Sequence, residues 1–161
     1  MARSPLQSPA RSKPDCTAGQ AAELDFWIGN WRVRRHSDGS DFGINHFQKA
    51  IGGCAILETF QAKSPKGVDY LGTSLSFYDG GDRQWHQFYV DNNGRRSVYA
   101  GTMQGNDWVM IAPSVAPGRG SFLQRMIVRR NADGSVRQLG AISTDQGAEW
   151  KPIFDLDYTK L

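Results

Sequence analysis

The chain lacks long apolar runs and carries little excess charge. None of its apolar stretches approaches the ~20 residues of a membrane-spanning helix, so we expect a soluble protein without membrane insertion. The net charge is only +3, from 19 basic and 16 acidic residues. Because the basic residues are spread along the chain rather than gathered in one run, we expect no nucleic acid partner.

Cysteine and histidine are also scarce. The two cysteines, Cys16 and Cys54, permit one disulfide bond, but the residues alone equally allow two reduced thiols. The three histidines lie on three different predicted strands without a metal-binding spacing. We therefore expect no metal site, and no motif in the chain indicates a cofactor.

The chain divides into a tail and one domain. Residues 1–15 contain three prolines, three serines and three basic residues but no apolar block, so they do not resemble an intact secretory signal. We expect a disordered tail over 1–15 and a single globular domain over 16–161. The compartment stays open, because the protein could be cytoplasmic or exported after removal of a signal.

The rest of the chain has the pattern of an all-β protein. Short runs rich in β-branched and aromatic residues alternate with turns that contain Gly, Asn, Asp or Pro. We predict a short helical or 3₁₀ turn over 20–28 and about ten strands. The predicted strands cover 31–37, 43–51, 54–62, 70–79, 84–91, 95–103, 106–112, 120–130, 135–144 and 149–159. The connections are too short for crossover helices, so neighbouring strands are expected to be antiparallel.

Ten meandering strands leave two unpaired edges unless the sheet closes on itself. We therefore predict one antiparallel up-and-down barrel, with a two-sheet sandwich as the alternative. A barrel of this size has an interior that is either filled by side chains or shared with a small ligand.

Several motifs carry a resemblance to a known family. They lie at 25–31, 53–58, 72–79, 85–91, 136–138 and 143–147, and at Trp150, Phe154, Asp155 and Tyr158. In these motifs the chain resembles a family of uncharacterised, often exported bacterial lipocalin-like (calycin-type) β-barrel proteins, whose activity is not established.

The resemblance implies structural roles for four residues. The entry 29–31 is similar to the lipocalin Gly-x-Trp signature, in which the tryptophan, here Trp31, plugs the closed end of the barrel beneath an arginine from a late strand. Trp27 belongs to the turn that would close this end. Exported relatives have cysteines at both corresponding places, which implies a disulfide bond between Cys16 and Cys54.

Alternation along the strands leaves two arrangements open. Over 70–79, small polar residues such as Ser74 and Ser76 alternate with bulky apolar residues such as Leu75 and Phe77. In the usual arrangement the apolar face packs in the core and the polar face meets solvent. In the other, the polar face lines a cavity, and a partner or the terminal segments cover the apolar face.

The residues that carry the resemblance are largely polar and aromatic, and this favours a lumen that binds a ligand. We predict ligand contacts from Ser74, Ser76, Trp85, Gln87, Tyr89, Arg125, Gln138 and Tyr158. A hydrogen-bonded core network that binds nothing is the alternative.

Glu58 and Arg125 each lie among apolar neighbours in predicted strands. A carboxylate in such a place either faces solvent or is buried with a partner. If both side chains point inward, we expect them to form an ion pair beside the cavity. That pair would be either a structural strut or part of an acid/base centre.

The sequence favours a protein that binds a small, largely apolar or aromatic molecule in the lumen. A cofactor-free isomerase or cyclase, in which Glu58 or Tyr89 moves a proton, is the alternative, so the chain does not decide whether it is an enzyme. A filled barrel that acts as a surface interaction module is the second alternative. A homodimer is also left open.

Overall fold

The computed structural model describes residues 15–64, 67, 69–118 and 120–161. Within these residues, ten antiparallel strands form one closed barrel, which confirms the all-β prediction and excludes the two-sheet sandwich. Apart from Asp15, the tail predicted over 1–15 lies outside the described residues. The described part of the chain has no helix with the length and apolar character that a membrane crossing requires.

The strands follow one another around the barrel in chain order. They are β1 (Gly29–Arg35), β2 (Asp41–Ala50), β3 (Ala55–Ala62), β4 (Tyr70–Asp79), β5 (Gln84–Asp91), β6 (Arg96–Gln104), β7 (Asp107–Ala116), β8 (Gly120–Arg130), β9 (Val136–Ser143) and β10 (Lys151–Lys160). The barrel closes where β1 pairs with β10, with Trp31 opposite Lys160. Closure pairs both strands that would otherwise be edges.

One strand is longer than the sequence pattern predicts. β7 continues to Ala116 instead of ending near residue 112, and it includes Pro113 opposite Leu123 of β8. The pairing of β7 with β6 ends at the pair of Ala100 and Ile111. Pro113 therefore lies beyond the ladder with β6, where a missing N–H group removes no hydrogen bond from the sheet.

Two short 3₁₀ turns, Gly19–Ala22 and Asp25–Trp27, lie where the helical or 3₁₀ turn over 20–28 was predicted, and they cover one end of the barrel. The Trp27 ring stacks on Phe47 with 4.5 Å between ring centroids, and it also contacts Trp31 and Tyr158. The Trp31 indole N–H donates a hydrogen bond to the Trp27 carbonyl oxygen over 2.8 Å. These aromatic contacts build the core at the closed end.

A lysine covers the plugging tryptophan. The Lys160 ammonium of β10 lies 5.2 Å from the centroid of the Trp31 ring, within the range of a cation–π contact. The resemblance implied an arginine from a late strand in this place, and the structure has a lysine there.

A disulfide bond joins Cys16 to Cys54. It ties the segment before the 3₁₀ turns to the start of β3, and it confirms the pairing that the resemblance implied. Since Cys54 directly precedes β3, the bond fastens the end cover to the barrel wall.

The strands β4 and β5 turn their polar faces inward. On β4, Ser74 and Ser76 are 2% and 4% exposed, whereas Leu75 and Phe77 on the other face are 37% and 39% exposed. On β5, Gln87 is likewise buried inside the barrel. The structure therefore adopts the less usual of the two arrangements that the alternation allowed.

Candidate functional site

The barrel encloses a cavity of about 1280 Å³ that opens at the end opposite the 3₁₀ turns. Its wall combines aromatic rings with amide, hydroxyl and carboxyl groups. The main contributors are Phe42, Phe60, Tyr70, Tyr89, Tyr99, Phe154, Glu58, Gln87, Gln124, Gln138 and Tyr158. The interaction-module alternative assumed a barrel filled by its own side chains. The cavity shows that the barrel is not filled.

Glu58 of β3 lies at the centre of a hydrogen-bond network on the cavity wall. Its Oε1 accepts a hydrogen bond from the Asn45 amide over 2.7 Å, and its Oε2 accepts one from the Ser74 hydroxyl over 2.5 Å. The Gln87 amide donates to the hydroxyl oxygens of Ser74 and Ser76, each over 3.2 Å. The predicted residues Glu58, Ser74, Ser76 and Gln87 are thus brought together, with Glu58 and Gln87 lining the cavity and the two serines bonded to them outside its lining.

Burial controls the ionisation of Glu58. Desolvation raises the pKa of its carboxyl above the usual 4.5, against the opposing effect of the hydrogen bonds from Asn45 and Ser74. Among the described residues, none of the ion pairs includes Glu58. A carboxyl group without a compensating cation is poised to hold a proton inside the lumen.

The condition for an ion pair between Arg125 and Glu58, that both side chains point inward, is not met. Arg125 lies on the outer face of β8, because its neighbours Gln124 and Met126 occupy the cavity side. Its guanidinium lies 4.3 Å from the centroid of the Trp150 ring, outside the lumen. Arg125 therefore does not line the lumen, where a ligand contact was predicted, and it forms no strut with Glu58.

A second network lies on the wall formed by β8, β9 and β10. The Tyr158 hydroxyl donates to Gln138 Oε1 over 2.7 Å, and the Gln138 amide lies 2.8 Å from the Met126 sulfur. Burial, and then the negative charge of Glu58, raises the pKa of the Tyr158 hydroxyl. Tyr158 and Gln138 thus lie on the lumen side, as predicted.

Tyr70 and Tyr89 line the half of the cavity that is nearer its opening. The hydroxyls of Tyr70 and Tyr89 are 2.9 Å apart, and the Tyr70 hydroxyl donates to Asp91 over 3.2 Å. Burial raises the pKa of Tyr70 to about 12, and it raises the pKa of Tyr89 as well. Both phenols therefore keep their protons near neutral pH and present O–H groups to the cavity.

Trp85 does not contact the cavity, although its side chain points into the barrel. It is 2% exposed, and its ring packs edge-on against Trp108. Its indole N–H donates to Glu23 Oε2 over 3.1 Å, next to the 3₁₀ turns. Trp85 therefore belongs to the closed-end core and does not line the cavity, where a ligand contact was predicted.

Sequence reasoning missed a third polar cluster. The Gln124 amide of β8 donates to Ser97 over 3.1 Å and to Ser114 over 2.6 Å, and the Tyr99 hydroxyl donates to Gln124 Oε1 over 3.3 Å. Asn45 was missed as well. Alternation with the buried Phe47 signals the inward position of Asn45, but no local signal links Gln124 to serines on two other strands.

The histidines do not meet in the structure. One group among the described residues, Asp79, Asp82 and His86, has donor atoms within 4.8 Å of one another. It lies at the turn between β4 and β5, where His86 Nε2 is 2.8 Å from Asp82 Oδ2. None of these three residues lines the cavity.

The geometry thus defines a lumen with three polar clusters and aromatic walls. Compared with models of protein families and with curated proteins, the chain gave no match.

Proposed function

We propose that the protein binds a small, largely apolar or aromatic molecule in the lumen of the barrel. The observation that carries the proposal is the cavity of about 1280 Å³, whose wall combines aromatic rings with inward amide and hydroxyl groups. Small-molecule sites are typically concave and mostly apolar, with a few polar groups that fix the orientation of the ligand. A drug-sized molecule fits this volume together with some water.

The polar clusters supply the orientation. The network of Glu58, Ser74 and Gln87 lies on one side of the lumen, and the pair of Tyr158 and Gln138 lies on another. A ligand with one hydrogen-bonding end would direct that end to these groups, while its apolar body contacts rings such as Phe60.

The same barrel supports a proposal about family. A lipocalin-like type is favoured by the Gly29-Asn30-Trp31 entry at the start of β1 and by Trp31 packed beneath the 3₁₀ turns. The disulfide between Cys16 and Cys54 favours an exported protein, because such bonds persist in oxidising compartments.

Native mass spectrometry of protein purified from its own host tests ligand binding. We expect the wild-type protein to carry a small-molecule mass, and the variant Gln87→Leu to lose it because Gln87 lines the lumen. Arg125→Leu is the matched control and should keep the mass, since Arg125 lies on the outer face. The proposal fails if wild-type protein carries no such mass and does not bind the apolar probe 1-anilinonaphthalene-8-sulfonate.

A cofactor-free isomerase or cyclase is the second candidate, and Glu58 is the specific observation in its favour. A buried carboxyl with a raised pKa beside a cavity is suited to hold a proton and transfer it to a bound molecule. Tyr89, whose pKa is raised, suits the donor rather than the base. In this case wild-type protein converts the bound molecule on incubation, whereas Glu58→Gln retains it unchanged.

A further inference from the structure

The outer surface of the strands β4 to β7 is apolar although it faces solvent. Six large side chains are exposed here by 37–48% each: Leu71, Leu75, Phe77, Phe88, Val98 and Ile111. We name this set the apolar wall. Soluble proteins seldom expose apolar side chains in such a contiguous group unless the surface has a partner.

The side chains of the wall are neighbours across the sheet. Leu75 of β4 lies opposite Phe88 of β5, and Phe88 lies opposite Val98 of β6. Such pairs bring their side chains within contact distance on one face. The three residues therefore form a continuous row at right angles to the strands.

The centre of the wall is free of charge, and Arg96 of β6, an exposed residue opposite Val90 of β5, lies at its edge. The outward positions of β4 from Leu71 to Phe77, and those of β5 from His86 to Val90, contain no Lys, Arg, Asp or Glu. The far side of the barrel differs, since its strands carry ion pairs such as Arg137 with Asp155. Two copies of the wall could meet without bringing like charges together.

The area of the wall matches what a dimer needs. With roughly 150–200 Å² on each fully exposed side chain of this size, the exposed fractions amount to on the order of 500 Å² of apolar surface. A standard interface buries about 800 Å² per partner, of which somewhat more than half is apolar. One wall is therefore large enough to supply the apolar centre of such an interface.

We propose that the apolar wall binds the same wall of a second copy of this chain in a two-fold symmetric dimer. A two-fold interface is self-complementary, so an apolar surface with an uncharged centre suits it. Residues 1–14 are a poorer occupant, because Met1 and Leu6 are their only large apolar residues. The wall lies on the side of the barrel and the lumen opens at its end, and Val98 is the member of the wall that also borders the cavity.

Sedimentation velocity over a range of protein concentrations tests the dimer. We expect wild-type protein to sediment at twice the monomer mass, and Phe88→Lys to weaken the dimer at least about tenfold because it places a charge in the middle of the interface. Ile153→Lys is the matched control. Ile153 is a 51% exposed apolar residue on β10, five strands away from β5, and its replacement should leave the dimer intact.

Three results would overturn the proposal: a wild-type monomer at every concentration, a Phe88→Lys dimer as tight as the wild type, or a dimer that Ile153→Lys dissociates. If Phe88→Lys does not fold, the milder variant Leu75→Gln takes its place.

The wild-type protein offers a separate measurement. Since the His86 ring stacks on Phe77 at 5.5 Å, dilution should speed carbethoxylation of His86 but not of His36, and equal rates at all concentrations would contradict the dimer.

Discussion

The Tyr89 side chain lies across the backbone of Gly72 on the neighbouring strand. A Cβ atom on residue 72 would overlap the Tyr89 hydroxyl and its ring. Because residue 72 is a glycine, the phenol can reach over β4 and meet the Tyr70 hydroxyl at 2.9 Å. The position of Tyr89 in the lumen therefore requires a glycine at position 72.

Replacing this glycine should displace the tyrosine. We expect Gly72→Ala to lower the free energy of unfolding by about 1–3 kcal/mol, the usual cost of overpacking a well-packed site. Urea denaturation measures the change. Gly80→Ala is the control, since a Cβ at Gly80 would meet no atom within 4 Å, and its effect should stay within about 0.5 kcal/mol. Equal effects of the two variants would contradict the contact.

The buried carboxyl of Glu58 should make stability depend on pH. Its pKa is raised in the folded protein, so the folded state keeps a proton that the unfolded chain releases near pH 4.5. The free energy of unfolding therefore falls as the pH rises from about 4.5 towards the folded-state pKa.

The variant Glu58→Gln should remove this pH dependence. Relative to the wild type, we expect it to gain about 1–3 kcal/mol between pH 4 and pH 8, because a buried charge without a cation is no longer formed. Urea denaturation at the two pH values measures the gain. Glu149→Gln, at an exposed carboxylate, should show no such gain. A Glu58→Gln variant whose pH profile parallels that of the wild type would argue against a raised pKa.

The disulfide should contribute a large share of the stability. It closes a loop between residues 38 positions apart, so the double variant Cys16→Ser and Cys54→Ser should lose about 2–4 kcal/mol. Thermal and urea unfolding measure the loss. A reducing agent should shift the wild type by a similar amount and leave the double variant unchanged, and a wild type insensitive to reduction would contradict the role of the bond.

The closed end should be more sensitive to substitution than the outer surface. Trp31 is fully buried and donates a hydrogen bond to the Trp27 carbonyl, so Trp31→Phe should cost about 1–3 kcal/mol through lost packing and an unpaired carbonyl. Trp150→Phe removes as many atoms from a ring on the outside of the barrel and should cost less than about 1 kcal/mol. Chemical denaturation of both variants provides the comparison.

Much of the fold could be predicted because strands and turns have local signals. The ten predicted strands correspond one to one with β1 to β10. The main exception is β7, where Pro113 usually signals the end of a strand. That signal failed because the ladder with β6 ends before Pro113, and the position of the ladder is not encoded by neighbouring residues.

The candidate site was predicted less completely. Arg125 lies between Leu123 and Ile127 on the same face of β8, and the apolar neighbours suggested an inward position. Arg125 and Ile127 face outward, while Met126 and Val128 supply the inner face. Because both faces of this strand are apolar, alternation alone could not choose between them. For Trp85 the predicted face was right, but its depth along the barrel was not.

The sequence by itself determined which segments are strands and which side chains share a face, because a two-residue period is a local property of an extended chain. Only the tertiary structure decided which face is inside, how deep each residue lies and which polar groups meet. Those outcomes depend on the direction in which the sheet curls and on the register that closes β1 onto β10, and both are set by contacts between residues far apart in the chain.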